Sequence, residues 1–179
     1  MLAAARQKRG FGAPPAACGG GHIPVPWGTG MSKSSEPQRQ RIAERSAQAL
    51  YERDRASQAL GMRLVEVRPG RARVVMTVRP DMLNGHDVCH GGIVFSLADS
   101  AFAFACNSYN ESTVAAAGAI DFLAAVRAGD ELTAEACELW RTKRNGIYEI
   151  SVTNQRGERV ALFRGRSYRI DGQVTTIEE

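Results

Sequence analysis

The chain has no apolar run that is long and uniform enough to span a membrane. Its four cysteines are widely and irregularly spaced, so they predict no disulfide framework, which fits a reducing cytoplasm. The loop residues His86, Cys89 and His90 match no zinc-binding pattern, because no second ligand pair exists. We therefore expect a cytoplasmic protein with no membrane span and no metal site.

An excess of charge of one sign is also missing from most of the chain. The net charge of +4 comes wholly from residues 1–40, which carry five basic residues and one acidic residue. The remainder carries 18 basic and 18 acidic residues and is neutral. The basic balance therefore does not indicate a nucleic-acid-binding protein.

The first 36 residues differ in composition from the rest. Five of the seven prolines lie within residues 1–40, together with the run Gly19–Gly21. Such a segment cannot bury enough apolar surface to order itself. The segment is not a convincing secretory signal, and Met31 is a plausible alternative start. We expect a disordered N-terminal extension over 1–36, one domain over 37–172 and a C-terminal tail over 173–179.

The most informative segment is a polar loop, Asn84–Gly92, that leads into a helix over Ile93–Cys106. That helix is apolar nearly all round, which is typical of the buried centre of a fold. Asp99 lies inside it, too far from the helix start to be an N-cap. Because burying an isolated carboxylate costs several kcal/mol, such a residue persists when it is paired or used. Asp99 is therefore the candidate catalytic carboxylate.

Gly91 and Gly92 place backbone N–H groups at the helix N-terminus, where negative charge on a ligand oxygen is stabilised. A carboxylate and such N–H groups are the two halves of an acyl-transfer site. The eight residues from Gly91 to Asp99 span about 12 Å of helix, which is too far for one reacting carbon to touch both. The two halves meet only if two copies of the helix lie antiparallel. The sequence thus predicts a symmetric dimer with shared sites.

The other elements are an amphipathic helix with proline at its start, a short turn, and strands separated by turn signals. The helix is predicted over Pro37–Arg53, the turn over Ser57–Leu60, and the strands over Met62–Arg68, Ala72–Val78, Thr113–Phe122, Glu131–Trp140, Gly146–Val152 and Val160–Ile170. Strands, one long apolar helix and then a run of strands predict an α+β domain.

Three segments together resemble the hotdog-fold acyl-CoA thioesterases, and most of all the phenylacetic acid degradation type, the hydroxyphenylacetyl-CoA thioesterases. These segments are Met82–Asn107, Asp121–Leu123 and Ala161–Gly165. The likeness covers about residues 37–172, and no motif position departs from the family pattern. The resemblance implies an antiparallel sheet wrapped around a long central helix.

The resemblance also assigns roles. It implies that Asp99 is the nucleophile or general base, that the Gly91 N–H polarises the thioester carbonyl, and that Asn84 and His90 position the thioester. It implies hydrolysis of an acyl-CoA, with an arylacetyl or hydroxyphenylacetyl acyl group, in phenylacetate catabolism. Coenzyme A is then part of the substrate, and no cofactor is expected. The expected assembly is a homotetramer built as a dimer of dimers.

Other interpretations stay open. The basic residues Arg141, Lys143, Arg144, Arg164 and Arg166 are candidates for contacts with coenzyme A phosphates, but they also fit ordinary solvated turns. Asn84 alone would be an ordinary turn residue, and Cys89 a structural cysteine rather than a catalytic thiol. A hotdog dehydratase would typically have a His-Phe-Pro-Gly loop and a helix glutamate, and neither is present. A non-catalytic acyl-CoA-binding regulator would not need Asp99.

Overall fold

A computed structural model describes residues 35–177 of the chain. The predicted division into 1–36, 37–172 and 173–179 stays a prediction, since most of the proposed extension lies outside these residues. The described part contains three α-helices, α1 Glu36–Arg53, α2 Arg55–Ala59 and α3 Gly91–Cys106, and a 3-10 turn at Pro80–Met82. It contains six strands, β1 Arg63–Arg68, β2 Arg71–Thr77, β3 Thr113–Phe122, β4 Glu131–Arg141, β5 Asn145–Thr153 and β6 Arg159–Arg169.

The six strands form one antiparallel sheet in the order β1-β2-β4-β5-β6-β3. Helix α3 packs across one face of this sheet and contacts every strand. The predicted α+β architecture, an antiparallel sheet around a long central helix, is therefore confirmed. None of the helices in residues 35–177 is long and apolar enough to cross a membrane.

The core lies between α3 and the sheet. Leu97, Ala98 and Ala101 on α3 are fully buried, as the helix's uniform apolar character predicted. Phe102 packs against the rings of Tyr148 and Phe163, with centroid separations of 5.3 and 6.0 Å. These separations are within the range of favourable aromatic pairs, so this cluster fixes α3 on β5 and β6.

Helix α1 begins with a Ser35 cap, whose side chain accepts a hydrogen bond from the Gln38 N–H. Its apolar stripe is short, and the polar residue Ser46 is buried within it. The Ser46 hydroxyl donates to the carbonyl of Asn107 at 2.6 Å, at the end of α3. Gln40 donates to the Val67 carbonyl at 2.8 Å. Helix α1 therefore packs beside β1, one edge of the sheet, and is linked to the end of α3.

The opposite edge of the sheet is β3, and its residues are exposed along nearly the whole strand. Most of them are small, and the strand ends at Phe122, which is 55% exposed, as is Leu123 after it. A long edge strand with unpaired backbone groups and apolar side chains is a template for pairing with another strand. This edge is the most evident unpartnered surface in the described part of the chain.

One detail differs from the sequence predictions. The predicted turn at Ser57–Leu60 is the helix α2, because Asp54 caps it by accepting hydrogen bonds from the Ser57 N–H and hydroxyl. Among the described residues, Cys89 and Cys106 are free thiols.

Part of the predicted C-terminal tail packs against the domain. Val174 is buried, and its carbonyl accepts a hydrogen bond from Arg53 at 2.8 Å. Thr175 exchanges two hydrogen bonds with the Asn110 side chain, at 2.9 and 3.0 Å. Residues up to Thr175 are therefore part of the packed structure.

Candidate active site

The loop before α3 is a tight, hydrogen-bonded turn. Asn84 closes it: its N–H donates to the Val88 carbonyl at 2.8 Å, and its Oδ1 accepts from the His86 N–H at 2.9 Å. Asp87 adopts a positive φ of 57°, which such a turn requires. Within the described residues the Asn84 Nδ2 group has no acceptor, so it is available to a ligand.

His90 is the N-cap of α3. Its backbone N–H donates to the Met82 carbonyl at 2.9 Å, and its Nδ1 accepts from the Gly92 N–H at 2.9 Å. A neutral imidazole that accepts at Nδ1 carries its proton on Nε2, and this side of the exposed ring is available as a donor. His90 thus occupies the Gly92 N–H, leaving Gly91 as the helix-terminal donor.

Gly91 is the first residue of α3, so its N–H has no partner within the helix. No other acceptor for this N–H occurs among residues 35–177. A free N–H at a helix N-terminus stabilises negative charge on a nearby oxygen. This group therefore has the properties of an oxyanion donor.

Asp99 lies on the same face of α3 as Gly91 and Phe95, since residues four apart stack along a helix. The carboxylate is partly buried, and no hydrogen bond from a described residue reaches it. Burial raises its pKa, and the nearby carboxylate of Asp54 raises it further. An unpaired carboxyl group with a raised pKa is suited to accept a proton from water or to attack a carbonyl.

Sequence reasoning missed the neighbourhood of Asp99. Ser57 is buried, and its hydroxyl is 2.5 Å from Asp54 Oδ2 and 2.7 Å from the hydroxyl of Ser100. These two hydrogen bonds hold α2, and with it the Asp54 carboxylate, beside α3. The spacing of Asp54 and Ser57 is a capping signal that indicates a helix start, but nothing in the sequence indicates the contact between Ser57 and Ser100.

Three of the candidate phosphate contacts, Arg141, Arg144 and Arg164, have partners within the chain. Arg141 pairs with Glu111 at 2.5 Å, and its guanidinium lies 3.9 Å from the ring centroid of Tyr109. Arg144 donates to the Tyr168 hydroxyl at 3.1 Å, and Arg164 pairs with Glu149 at 3.4 Å.

Lys143 lies exposed in the turn between β4 and β5, and Arg166 is exposed on β6. The side chain of Phe163 lies in the core, and a side chain at Gly165 would meet Phe102 there. Because side chains alternate along a strand, Arg164 and Arg166 point to the face of the sheet that is remote from α3. Their role in coenzyme A binding stays a prediction.

The structure also bears on the thiol and metal alternatives. Burial raises the pKa of the Cys89 thiol, which disfavours the thiolate that a catalytic cysteine needs. Within residues 35–177 no group of three or more His, Cys, Asp or Glu side chains is arranged to hold a metal ion.

Comparison with known proteins decides the family. Residues 86–161 match the thioesterase superfamily model. The chain is 50% identical over 133 residues to the acyl-coenzyme A thioesterase PaaI of Escherichia coli, covering 74% of this chain and 95% of that protein. The chain belongs to the thioesterase superfamily. The predicted resemblance, and with it the prediction of a thioester hydrolase, is confirmed.

Solved structures agree with this thioesterase fold. The structure of E. coli PaaI, a protein from the phenylacetic acid degradation operon, matches with a TM-score of 0.74 and 49% identity, over 75% of this chain and 97% of that one. The phenylacetic acid degradation protein PaaI from Thermus thermophilus, solved as a mutant, matches with a TM-score of 0.62 and 36% identity, over 64% of this chain and 98% of that one.

One prediction concerns the pH dependence of this thioesterase. We expect hydrolysis to need ionised Asp99, so activity should be lost as the pH falls through its raised pKa. Asp54→Asn removes a neighbouring negative charge but keeps a good capping oxygen for α2. We expect the acid limb of the profile of kcat/KM against pH to move to lower pH in this variant.

A matched control for this test is Glu52→Gln, which removes the same charge from an exposed position near the end of α1. Its acid limb should coincide with that of the wild type. An unmoved acid limb in Asp54→Asn, or an equal movement in the control, would show that Asp54 does not act on Asp99.

Proposed function

We propose that this thioesterase hydrolyses acyl-CoA thioesters with an arylacetyl acyl group, such as a phenylacetyl or hydroxyphenylacetyl group, to the free acid and coenzyme A. The observation that carries the proposal is the free Gly91 N–H at the start of α3, on the same helix face as the unpaired carboxylate of Asp99. The acyl class is supported by the 50% identity to the E. coli acyl-coenzyme A thioesterase, whose structure is described as belonging to the phenylacetic acid degradation operon.

In the proposed reaction the thioester carbonyl oxygen accepts a hydrogen bond from the Gly91 N–H. As the carbonyl carbon becomes tetrahedral, the charge that develops on this oxygen is stabilised by the N–H and the helix dipole. Asn84 Nδ2 and His90 Nε2 are the further donors available to position the thioester. Asp99 either takes a proton from an attacking water or attacks the carbonyl itself to form a mixed anhydride that water then cleaves.

The proposed site is shared between two copies of the chain. Within one protomer, Gly91 and Asp99 are separated by about 12 Å along α3. The Gly91 end of the helix lies beside the end of β3, because the Phe122 ring contacts Gly91. The exposed edge of β3 offers backbone groups for antiparallel pairing with a second β3. Such pairing places two α3 helices side by side in opposite directions, with Asp99 of each near Gly91 of the other.

A tetramer built from two such dimers and a cytoplasmic location remain predictions from the sequence. So does the expectation that the reaction uses no separate cofactor, because coenzyme A enters as part of the substrate.

The experiment that tests the function is a thiol-release screen of the purified protein against arylacetyl-CoA, benzoyl-CoA and straight-chain acyl-CoA substrates. We expect the highest kcat/KM for the arylacetyl group. Loss of water from a 3-hydroxyacyl-CoA without thiol release would indicate a dehydratase, and tight binding without turnover would indicate a regulator. Either result would contradict the proposal.

A further inference from the structure

The ring of Phe122 lies directly on Gly91. A Cβ atom added at Gly91 would be 2.9 Å from Cζ of Phe122 and 3.3 and 3.4 Å from the next two ring atoms. The ring therefore occupies the space that a side chain at this position would fill. In a single copy of the chain Phe122 is 55% exposed, so much of its surface beside the free Gly91 N–H is left uncovered by the chain itself.

A thioester bound at this N–H must pass the ring. A carbonyl oxygen that accepts from Gly91 lies about 3 Å from the nitrogen. The carbonyl carbon and its two substituents then lie within a few ångströms of the Gly91 Cα, against which Phe122 packs. Either the acyl group or the sulfur arm of the substrate contacts the ring.

The surroundings of Phe122 favour the acyl group. Its chain neighbours Asp121 and Leu123 are also exposed, but because side chains alternate along a strand they point to the opposite face of β3 and do not line the surface beside Gly91. One helical turn from Gly91, the half-buried Phe95 lies on the same face of α3, where its ring packs edge-to-face on the buried Phe163 with centroids 5.1 Å apart. A second aromatic side chain therefore lies between Gly91 and Asp99, which favours an apolar acyl group on this side of the thioester.

We propose that Phe122 contacts the acyl group of the substrate and makes the site selective for arylacetyl over short alkyl acyl groups. This inference rests on the proposed function. An aromatic acyl group stacks on or meets the edge of the exposed ring, whereas an acetyl group is too small to cover it. Glycine at position 91 leaves room for the Phe122 ring, which approaches the helix start too closely for a Cβ atom to fit without displacing the ring.

The test compares kcat/KM for phenylacetyl-CoA and acetyl-CoA in the wild type, Phe122→Ala, Phe122→Leu and Leu123→Ala. Loss of an aromatic pair and of the apolar contact that goes with it lowers affinity about tenfold. We therefore expect Phe122→Ala to lower the phenylacetyl-to-acetyl ratio about tenfold, mainly through KM, and Phe122→Leu to lower it less. The matched control Leu123→Ala should leave the ratio unchanged. Size-exclusion profiles and melting temperatures confirm folding, and Phe122→Leu, which keeps most of the apolar volume, carries the test if the alanine variant does not fold.

An unchanged ratio in the Phe122 variants would overturn the inference. Equal losses for both substrates would also overturn it, because the ring would then support the coenzyme A arm or the helix start. An equal change in Leu123→Ala would show that the effect is not specific to the ring. Failure of the proposed function gives a different result: the wild type itself would release no thiol from any acyl-CoA.

Discussion

Replacement of Asp99 by asparagine should leave a folded protein with the wild-type oligomeric state and at least about a 100-fold lower kcat, the usual cost of losing a general base. The substitution keeps the size of the side chain and removes its ability to take a proton or to form an anhydride. The carboxylate is partly buried, and no described residue donates a hydrogen bond to it. Its structural role is therefore small compared with its chemical role.

A measurement of thermal stability separates a catalytic role of Asp99 from a structural one. Because its pKa is raised in the folded protein, the ionised carboxylate costs stability at neutral pH, and this cost disappears as the pH falls below the unfolded-state pKa. We therefore expect the melting temperature of Asp99→Asn at neutral pH to equal or exceed that of the wild type. The pair of measurements is kcat by thiol release and Tm by calorimetry. Wild-type kcat in the folded variant would contradict the assignment of Asp99.

Substitution of Gly91 by proline is the second change with a large expected effect. Proline removes the N–H that we assign to the oxyanion, and loss of one such donor typically lowers kcat by about 100- to 1000-fold. The helix should persist, because proline is tolerated at the first helical position. His90 before it has φ −59° and ψ 131°, a conformation compatible with a following proline.

Gly91→Ala is the matched control for the proline variant. It keeps the N–H but places a Cβ atom against Phe122, as proline also does. We expect alanine to lose far less kcat than proline, since only proline removes the donor. Equal losses in the two variants would assign the effect to displacement of the Phe122 ring instead of to the N–H.

The sequence predicted most of the elements because their signals are local. Strand β3 was predicted over Thr113–Phe122 with the bounds that the structure has, and the other strands to within one residue at each end. Turn residues and the change from one periodicity to another mark these bounds in the sequence itself. The order of the strands has no such local signal. Strand β3 pairs with β6 at the sheet edge, and nothing within either strand specifies that partner.

The same contrast between local signals and long-range contacts holds for the residues of the candidate site. The alignment of Asn84, His90, Gly91 and Asp99 on one loop and helix was predictable, because the four residues lie within one short segment. The contacts of Phe122 with Gly91 and of Ser57 with Ser100 join distant segments and needed the fold. The folded chain pairs Arg141 with Glu111, a contact that its sequence position did not indicate, and its predicted phosphate contact stays a prediction.

The measurement that tests the central claim most directly is complementation between Asp99→Asn and Gly91→Pro, mixed in equal amounts and refolded together. Each parent dimer lacks one half of both sites and should be nearly inactive. In a mixed dimer with shared sites, one site carries both defects and the other carries neither. Random mixing makes half of the dimers mixed, so the account predicts recovery of about a quarter of the wild-type activity. If native mass spectrometry shows mixed dimers and the mixture stays as inactive as its parents, Asp99 and Gly91 do not meet across an interface, and the shared-site account is wrong.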